Sequence, residues 1–387
     1  MISRRDVLRG GLAAAGMAVL AACGISPKRK TAALTALPKQ TGKLSVANWP
    51  LYIDVDPKTK RRPTIDSFEK ATHIKVTYRE VIDDNDPFFG TIREPLARGE
   101  STGWDVIVVT DWLVGRMQRL GYLEELHPEK LPLVTKNEGK IFQMSGPLFS
   151  VPWQAGITGI GYNPKQTHRE ITSFGDLFDP AFKGKVGMLS DMRDMFHLTL
   201  LWMGVNPNDA THADLVKARD KLVAQRKAGL VRGYYQNDYT DALARGDLSL
   251  CLAYSGDIFQ LQSSNPDLKF VVPKEGGMLF VDEMCIPKGA ADPTDAHEWM
   301  NFVYRPDIAA NITTAVEYIT PVPSTKSIIE EREKHATGDD RATLEQIASS
   351  PLVYPTASMS KRLHRYRILS ESEESEWNGL FSAVVQS

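Results

Sequence analysis

The segment WDVIVVT, residues 104–110, is almost continuously apolar, and a helical pattern follows it directly. Such a run is typical of a strand inside a parallel sheet, because helices cover both faces of that sheet. Further strand patterns occur at 44–49, 74–81, 186–189, 247–254 and 278–286. Their alternation with helical patterns predicts an α/β fold with a mainly parallel sheet.

The helical patterns support the same architecture. They cover 63–71, 191–204, 211–229 and 295–318, with a break near Pro306 in the last of them. The chain has 387 residues, of which 42% are hydrophobic, and this length favours two domains. Two α/β lobes in one chain enclose a cleft, and ligands of such folds bind at the carboxyl ends of the strands.

The N-terminus predicts export from the cytoplasm. A basic head precedes a short apolar run from Gly10 to Ala22, which is too short to be a permanent membrane helix. Residues 3–8, SRRDVL, resemble the twin-arginine export consensus, and LAAC at 20–23 resembles a lipobox. We therefore expect removal of residues 1–22, a lipid on Cys23, and a flexible tether over 23–43 that holds the body outside the cytoplasm at the membrane surface.

Composition and motifs exclude or weaken several functions. The formal net charge is −2, and the sequence lacks the clustered basic residues that a nucleic-acid partner would need. The sequence lacks GxSxG, GxxxxGK[ST], HExxH and CxxC motifs, which disfavours hydrolases, nucleotide binding and metalloenzymes and predicts no cofactor. Cys251 and Cys285 could form a disulfide in this compartment, but both lie in apolar strand patterns, where buried free thiols are favoured.

Several predicted strand ends carry an aromatic or hydroxyl side chain beside an acid. These are Trp49 and Tyr52, Thr110 with Asp111 and Trp112, Asp191 and Asp194, Tyr254 with Asp257, and Phe280 with Asp282. Aromatic residues here could simply cover a core, and Asp111 and Asp191 could be helix N-caps. Asp194 could interact with the helix dipole alone.

Asp282 is less easily explained as a structural residue. Residues two apart in a strand share a face, so Phe280 and Asp282 point one way while Glu283 points the other. A carboxylate on an apolar strand needs a partner. The partner is either a protein arginine or a ligand cation, and an adjacent ring suits a cation well.

The sequence resembles the spermidine/putrescine-binding proteins of polyamine ABC importers, which are type II periplasmic solute-binding proteins. The resemblance extends from about Leu44 to Tyr354, and its most specific stretch is VVPKEGGMLFVDEMCIPKGA at 271–290. Further matching stretches are NWPLY, FEKATHIKV, WDVIVVTDW, GIGYNP, ARGDLSLCLAYSGD and NFVYRPDIAANI.

The resemblance implies a set of ligand residues at matching positions. These are Trp49, Tyr52, Thr110, Trp112, Asp191, Asp194, Tyr254, Asp257, Phe280, Asp282 and Tyr318. Tyr254 replaces a family tryptophan, and Ala155 stands where members carry another, so we expect Trp153 to fill that space. The family's C-terminal glutamine has no counterpart after Tyr354.

The resemblance also implies discontinuous lobes and a transport function. Lobe 1 is expected over 44–151 and 281–326, and lobe 2 over 152–280 and 327–387. The lobes would close on putrescine or spermidine and present it to a permease and its ATPase, with the protein acting as a monomer and not as an enzyme. The alternatives are another cationic or amine-bearing solute, a lipid-anchored enzyme that uses the clustered acids, and a sensor or adhesion lipoprotein.

Overall fold

The computed structural model describes residues 36–143 and 146–386. The predicted export signal, Cys23 and the first part of the predicted tether lie outside these residues. The strands are β1 (Lys43–Asn48), β2 (Lys75–Glu80), β3 (Val106–Thr110), β4 (Ser150–Tyr162), β5 (Val186–Leu189), β6 (Val231–Tyr235), β7 (Leu250–Tyr254), β8 (Lys269–Val271), β9 (Gly277–Cys285) and β10 (Leu363–His364).

Helices connect these strands and cover the sheet. They are α1 (Pro63–Thr72), α2 (Asn85–Arg98), α3 (Asp111–Leu120), α4 (Pro132–Asn137), α5 (Pro164–Thr167), α6 (Met192–Trp202), α7 (His212–Lys227), α8 (Tyr239–Ala244), α9 (Ser255–Gln262), α10 (Pro293–Phe302), α11 (Pro306–Val316), α12 (Thr325–His335), α13 (Gly338–Ser349), α14 (Ala357–Ser360) and α15 (Glu371–Gln386). Among the residues described, no helix is both long and apolar enough to cross a membrane.

The strands form one mixed sheet in the order β2-β1-β3-β9-β4-β7-β5-β6, with β10 beside β9 and β8 beside β4. Pairing is parallel within the outer groups β2-β1-β3 and β7-β5-β6. It is antiparallel where β9 and β4 join those groups. The α/β architecture predicted from the sequence is therefore confirmed, and the two parallel groups are linked through the long strands β4 and β9.

Local sequence signals set the helix ends. Helix α1 begins with Pro63 and ends at Thr72, and the next residue, His73, adopts a left-handed conformation with φ of 61°. The break near Pro306 is confirmed, because α10 ends at Phe302 and α11 starts with the proline in its first turn, where a missing N–H costs nothing.

Strand β4 was not predicted from the sequence. It is buried along its whole length and contains Gly156, Gly159 and Gly161, which weaken a strand pattern. The structure supplies a reason for two of these glycines: a Cβ on Gly156 would lie 2.3 Å from Cζ of Phe280, and one on Gly159 would lie 2.6 Å from Cζ of Phe270. Aromatic rings therefore occupy the space that side chains of β4 would fill.

The two cysteines of the described chain form no disulfide. Cys251 and Cys285 are buried free thiols, the state that the sequence analysis favours.

The end of the predicted tether contacts the body, because Asp295 of α10 accepts hydrogen bonds from the backbone N–H groups of Thr41 and Gly42 at 3.1 and 2.9 Å.

Candidate functional site

A cavity of about 1030 Å³ lies where the carboxyl ends of the parallel strands meet the middle of β9. All the candidate ligand residues named from the sequence line it: Trp49, Tyr52, Thr110, Trp112, Asp191, Asp194, Tyr254, Asp257, Phe280, Asp282 and Tyr318. The fold thus brings together residues that are separated by more than two hundred positions in the chain.

The charge of the cavity wall has one sign. Its acids are Asp83, Asp84, Asp191, Asp194, Asp238, Asp257 and Asp282. None of the described residues that line the cavity is a lysine, arginine or histidine. The cavity therefore has a strongly negative potential, because low-dielectric walls concentrate the field of such a cluster.

Asp282 occupies the centre of β9, beside the last residue of β3. The antiparallel pairing places Thr110 opposite it, and the Thr110 hydroxyl donates to the carboxylate at 2.7 Å. The Tyr52 hydroxyl donates to the other carboxylate oxygen at 2.8 Å. Asn85 donates in turn to the Thr110 hydroxyl at 2.9 Å. Asp282 forms no ion pair within the described chain, and burial raises its pKa to about 6.

Glu283 points to the other face of β9, as the strand alternation predicts. It does not line the cavity, and its carboxylate accepts a hydrogen bond from the Ser150 hydroxyl. Glu283 forms no ion pair with a described residue, because the nearby Arg365 pairs with Asp111 at 2.8 Å. Burial and the Asp111 charge raise the pKa of Glu283 to about 7.

Asp257 is held by hydroxyl and amide donors from two segments of the chain, the start of α8 and the residues after α11. Tyr239 of α8 and Asn237 donate to one oxygen at 2.6 and 3.1 Å, and Tyr318 donates to the other at 2.7 Å. Burial raises its pKa. As at Asp282, neutral groups orient the carboxylate without cancelling its charge.

Asp191 and Asp194 begin α6. Asp191 is the N-cap, as the structural alternative proposed, and its side chain accepts from the N–H groups of Arg193 and Asp194. It also lines the cavity, so the two interpretations are compatible. Asp194 is only 3% exposed and accepts from the hydroxyls of Tyr366 and Tyr254. Burial and the neighbouring Asp191 raise the pKa of Asp194 to about 7.

Four aromatic rings form a connected wall between these carboxylates. Tyr52 meets Tyr318 edge to face at 5.5 Å between ring centroids, and Phe280 meets Tyr254 at 5.3 Å. Phe280 and Tyr318 link the two pairs at 6.4 Å. Glycines make room for this wall: a Cβ on Gly256 would lie 2.1 Å from the Tyr318 ring.

Trp112 differs from the other rings, because the guanidinium of Arg193 lies 3.4 Å from its ring centroid. Arg193 is 3% exposed and forms an ion pair with Glu374 of α15. One face of Trp112 is thus covered by a cation of the protein itself. This ring borders the cavity and also connects α3 to α6 and α15.

The expectation for Trp153 is wrong. It does not line the cavity; it is buried in the core, stacks on Trp299 at 6.3 Å, and donates from Nε1 to the carbonyl of Tyr52 at 3.1 Å. A register shift between Pro152 and Gln154 in the pairing of β4 with β9 accompanies this placement. Trp153 therefore fixes the backbone of Tyr52 from the core side, through its hydrogen bond to the Tyr52 carbonyl.

Sequence reasoning missed several polar residues of the site. Gln236 and Asn237 follow β6, which was not predicted, and Gln236 donates to Asp84 at 3.2 Å. Tyr239 donates to Asp257, and Tyr366 comes from the C-terminal segment. The segment YYQND at 234–238, two aromatic residues followed by polar ones, could have indicated Gln236 and Asn237, whereas nothing local marks Tyr366.

The fold and this cavity define a two-lobed solute-binding protein of the type II periplasmic class. A family model described as bacterial extracellular solute-binding protein matches residues 64–338, and the chain belongs to this family. The spermidine/putrescine-binding periplasmic protein 1 of Haemophilus influenzae is 28% identical over 352 residues, covering 90% of each chain.

Other known proteins are similar at a comparable level. The putrescine-binding periplasmic protein SpuD of Pseudomonas aeruginosa is 27% identical over 348 residues, covering 84% of this chain and 86% of its own. The crystal structure of the spermidine/putrescine ABC transporter substrate-binding protein PotD of Streptococcus pneumoniae superposes with a TM-score of 0.73 at 22% identity, covering 89% of this chain and 98% of that one. The TpPotD lipoprotein of Treponema pallidum has a TM-score of 0.72 at 21% identity, covering 89% of this chain and all of its own.

Gly256→Ala should displace Tyr318, because the new methyl group would overlap its ring. We expect a loss of roughly 1–3 kcal/mol in the free energy of unfolding, the usual cost of overpacking, measured by urea denaturation. Gly90→Ala in α2 is the matched control, since a Cβ there meets nothing within 4 Å and alanine favours a helix. Equal stability of both variants would contradict the proposed role of Gly256.

The buried acids should make the empty protein less stable as the pH rises. Asp282 and Asp194 have pKa values raised to about 6 and 7, so the folded state binds more protons than the unfolded state between pH 4 and these values. Their contribution to the free energy of unfolding therefore falls as the pH rises from about 4 to 7. Urea denaturation of native protein and Asp282→Asn across this range should show a shallower fall in the variant; parallel curves would contradict this.

Proposed function

We propose that this protein captures a polyamine of the putrescine or spermidine class outside the cytoplasm and delivers it to an ABC permease and its ATPase. The observation that carries the proposal is the cavity wall of seven aspartates and several aromatic rings with no basic side chain among its described residues. The names of the relatives in Haemophilus influenzae and Pseudomonas aeruginosa support the same ligand class.

The site chemistry matches that ligand class. Asp282, Asp257 and Asp194 accept hydrogen bonds from neutral donors, which orient these carboxylates and add no positive charge. Ammonium groups at these positions would gain charge-assisted hydrogen bonds in a low-dielectric site. The wall of Tyr52, Tyr254, Phe280 and Tyr318 offers apolar surface for methylene groups and ring faces for the cation.

We further propose that capture proceeds by closure of two lobes, 44–151 with 281–326 and 152–280 with 327–387. Two observations support these boundaries. The strands β4 and β9 link the two parallel groups, and the pairing register shifts at Pro152 and Gln154 close to one boundary. A cation that contacts acids on both sides stabilises the closed form, whereas repulsion between the acids favours opening when the site is empty.

The N-terminal sequence supports a proposal for the location of the body. Export by the twin-arginine route, cleavage before Cys23 and lipid attachment there would keep a monomeric binding protein next to its permease. The similar fold of the Treponema pallidum lipoprotein is in keeping with this arrangement.

Two other functions predict different experimental outcomes. A different cationic or amine-bearing solute would use the same acids and rings. An enzyme that used the acids for general acid–base catalysis would turn over a bound substrate, whereas a transport protein would release it unchanged. Membership of the solute-binding family favours binding without chemistry.

Calorimetry of the body from residue 36 should detect binding of putrescine, spermidine or spermine. A neutral diol of matched length, 1,4-butanediol, is the control for the contribution of the methylene groups. Heat from at least one amine and none from the diol is the expected result. Tight binding of an anionic or neutral solute, with no response to any amine, would overturn the polyamine assignment.

Asp282→Asn should weaken polyamine binding by roughly 1–3 kcal/mol, about the value of a hydrogen bond to a charged group. Glu283→Gln is the matched control, because that neighbouring carboxylate is also buried but faces away from the cavity. We expect the control to bind as native protein does in the same titration. Equal effects of the two substitutions would show that charge in the cavity is not what binds the ligand.

A further inference from the structure

Tyr366 lines the cavity, although it lies after Tyr354, where the resemblance to the polyamine-binding proteins ends. It is 9% exposed, and its hydroxyl donates to Oδ1 of Asp194. The same hydroxyl lies 3.3 Å from the hydroxyl of Thr158 in β4. Tyr254 reaches the other oxygen, Oδ2, at 3.3 Å.

The segment around Tyr366 is fixed from several sides. Strand β10 pairs with the start of β9, and Arg365 forms its ion pair with Asp111. On the other side of Tyr366, the N–H of Arg367 donates to Nε2 of His197 at 3.0 Å. The Tyr366 ring packs edge to face against His197 at 5.3 Å between centroids. These contacts hold the Tyr366 hydroxyl in one position.

His197 is itself suited to this supporting role. It is fully buried in α6, and its Nδ1 lies 2.7 Å from the carbonyl oxygen of Arg193, so Nδ1 carries the proton and Nε2 accepts. Burial lowers the pKa of His197 to about 3. The imidazole is therefore neutral at physiological pH and adds no positive charge near Asp194.

The groups that face Asp194 come from four elements. They are Asp191 at the start of its own helix, Thr158 of β4, Tyr254 of β7 and Tyr366 of the C-terminal segment. Asp191 opposes ionisation, the three hydroxyls favour it, and Asp194 forms no ion pair within the described chain. Hydrogen bonds from neutral donors are thus what offsets the burial of this carboxylate.

We propose that Tyr366 is a positioning residue of the cavity, whose hydroxyl keeps the Asp194 carboxylate charged and oriented for a cationic ligand. This inference rests on the proposed capture of a polyamine and deepens it. It assigns the C-terminal segment a role in the affinity for a charged ligand, and it makes that affinity depend on pH.

The test is calorimetric titration of spermidine into native protein and Tyr366→Phe at intervals from pH 5 to 8.5. The ratio of the two affinities at each pH removes the titration of the ligand itself. Affinity should fall as the pH is lowered and Asp194 becomes protonated. Loss of the hydroxyl should move the midpoint of this fall upward by about one pH unit, the shift that corresponds to a hydrogen bond to a charged group. The two proteins should converge at the basic end of the range.

Tyr354→Phe is the matched control, because Tyr354 is also in the C-terminal region and donates or accepts a hydrogen bond with Thr325, away from the cavity. It should leave the pH profile unchanged. If Tyr366→Phe lowers the affinity by one constant factor at every pH, or leaves it unchanged, the inference is wrong.

A second measurement needs no ligand. The carboxyl carbon signal of Asp194, assigned with Asp194→Asn, can be followed by NMR during a pH titration of the empty protein. Its midpoint should be higher in Tyr366→Phe than in native protein. Native protein that binds no amine would overturn the proposed function alone, whereas identical NMR midpoints would overturn the role of Tyr366 alone.

Discussion

The site depends on carboxylates that are buried without a protein cation beside them. Burying an isolated charge costs several kcal/mol even after the surroundings relax, and an arginine partner would be the usual remedy. Here the donors to Asp282, Asp257 and Asp194 are hydroxyl and amide groups. Such donors replace part of the lost hydration but add no positive charge. The negative potential of the cavity is consequently reduced either by protonation of these acids, whose pKa values are raised, or by a cation from outside the protein.

The two long strands explain how this arrangement is built. Strand β9 runs antiparallel to both β3 and β4, so its middle lies between the two parallel groups of the sheet. One face of its centre presents Phe280 and Asp282 to the cavity, while Glu283 faces the Ser150 hydroxyl on the other side. The glycine at 156 in β4 admits the Phe280 ring. A strand with ordinary side chains at that position would push the ring out of the aromatic wall.

The sequence could predict what local rules determine, and no more. The alternation of a strand was enough to separate Asp282 from Glu283, and Pro306 was enough to place the break between α10 and α11. The role of Trp153 could not be predicted, because it depends on a register shift in β4 and on packing against Trp299, both of which involve distant partners. Tyr366 was missed for the same reason: it reaches Asp194 across 172 positions of the chain. Contacts of that kind leave no mark in a local pattern.

The surroundings of Trp112 provide an internal comparison for the cavity. There an aromatic ring, a guanidinium and a carboxylate meet, since Arg193 covers Trp112 and pairs with Glu374. The cavity repeats two parts of this set, the ring of Phe280 and the carboxylate of Asp282, on one face of β9. The cation is the part that the described cavity wall does not contain. At Trp112 the set is complete and holds helices together, whereas at Phe280 and Asp282 the proposed polyamine would supply the cation.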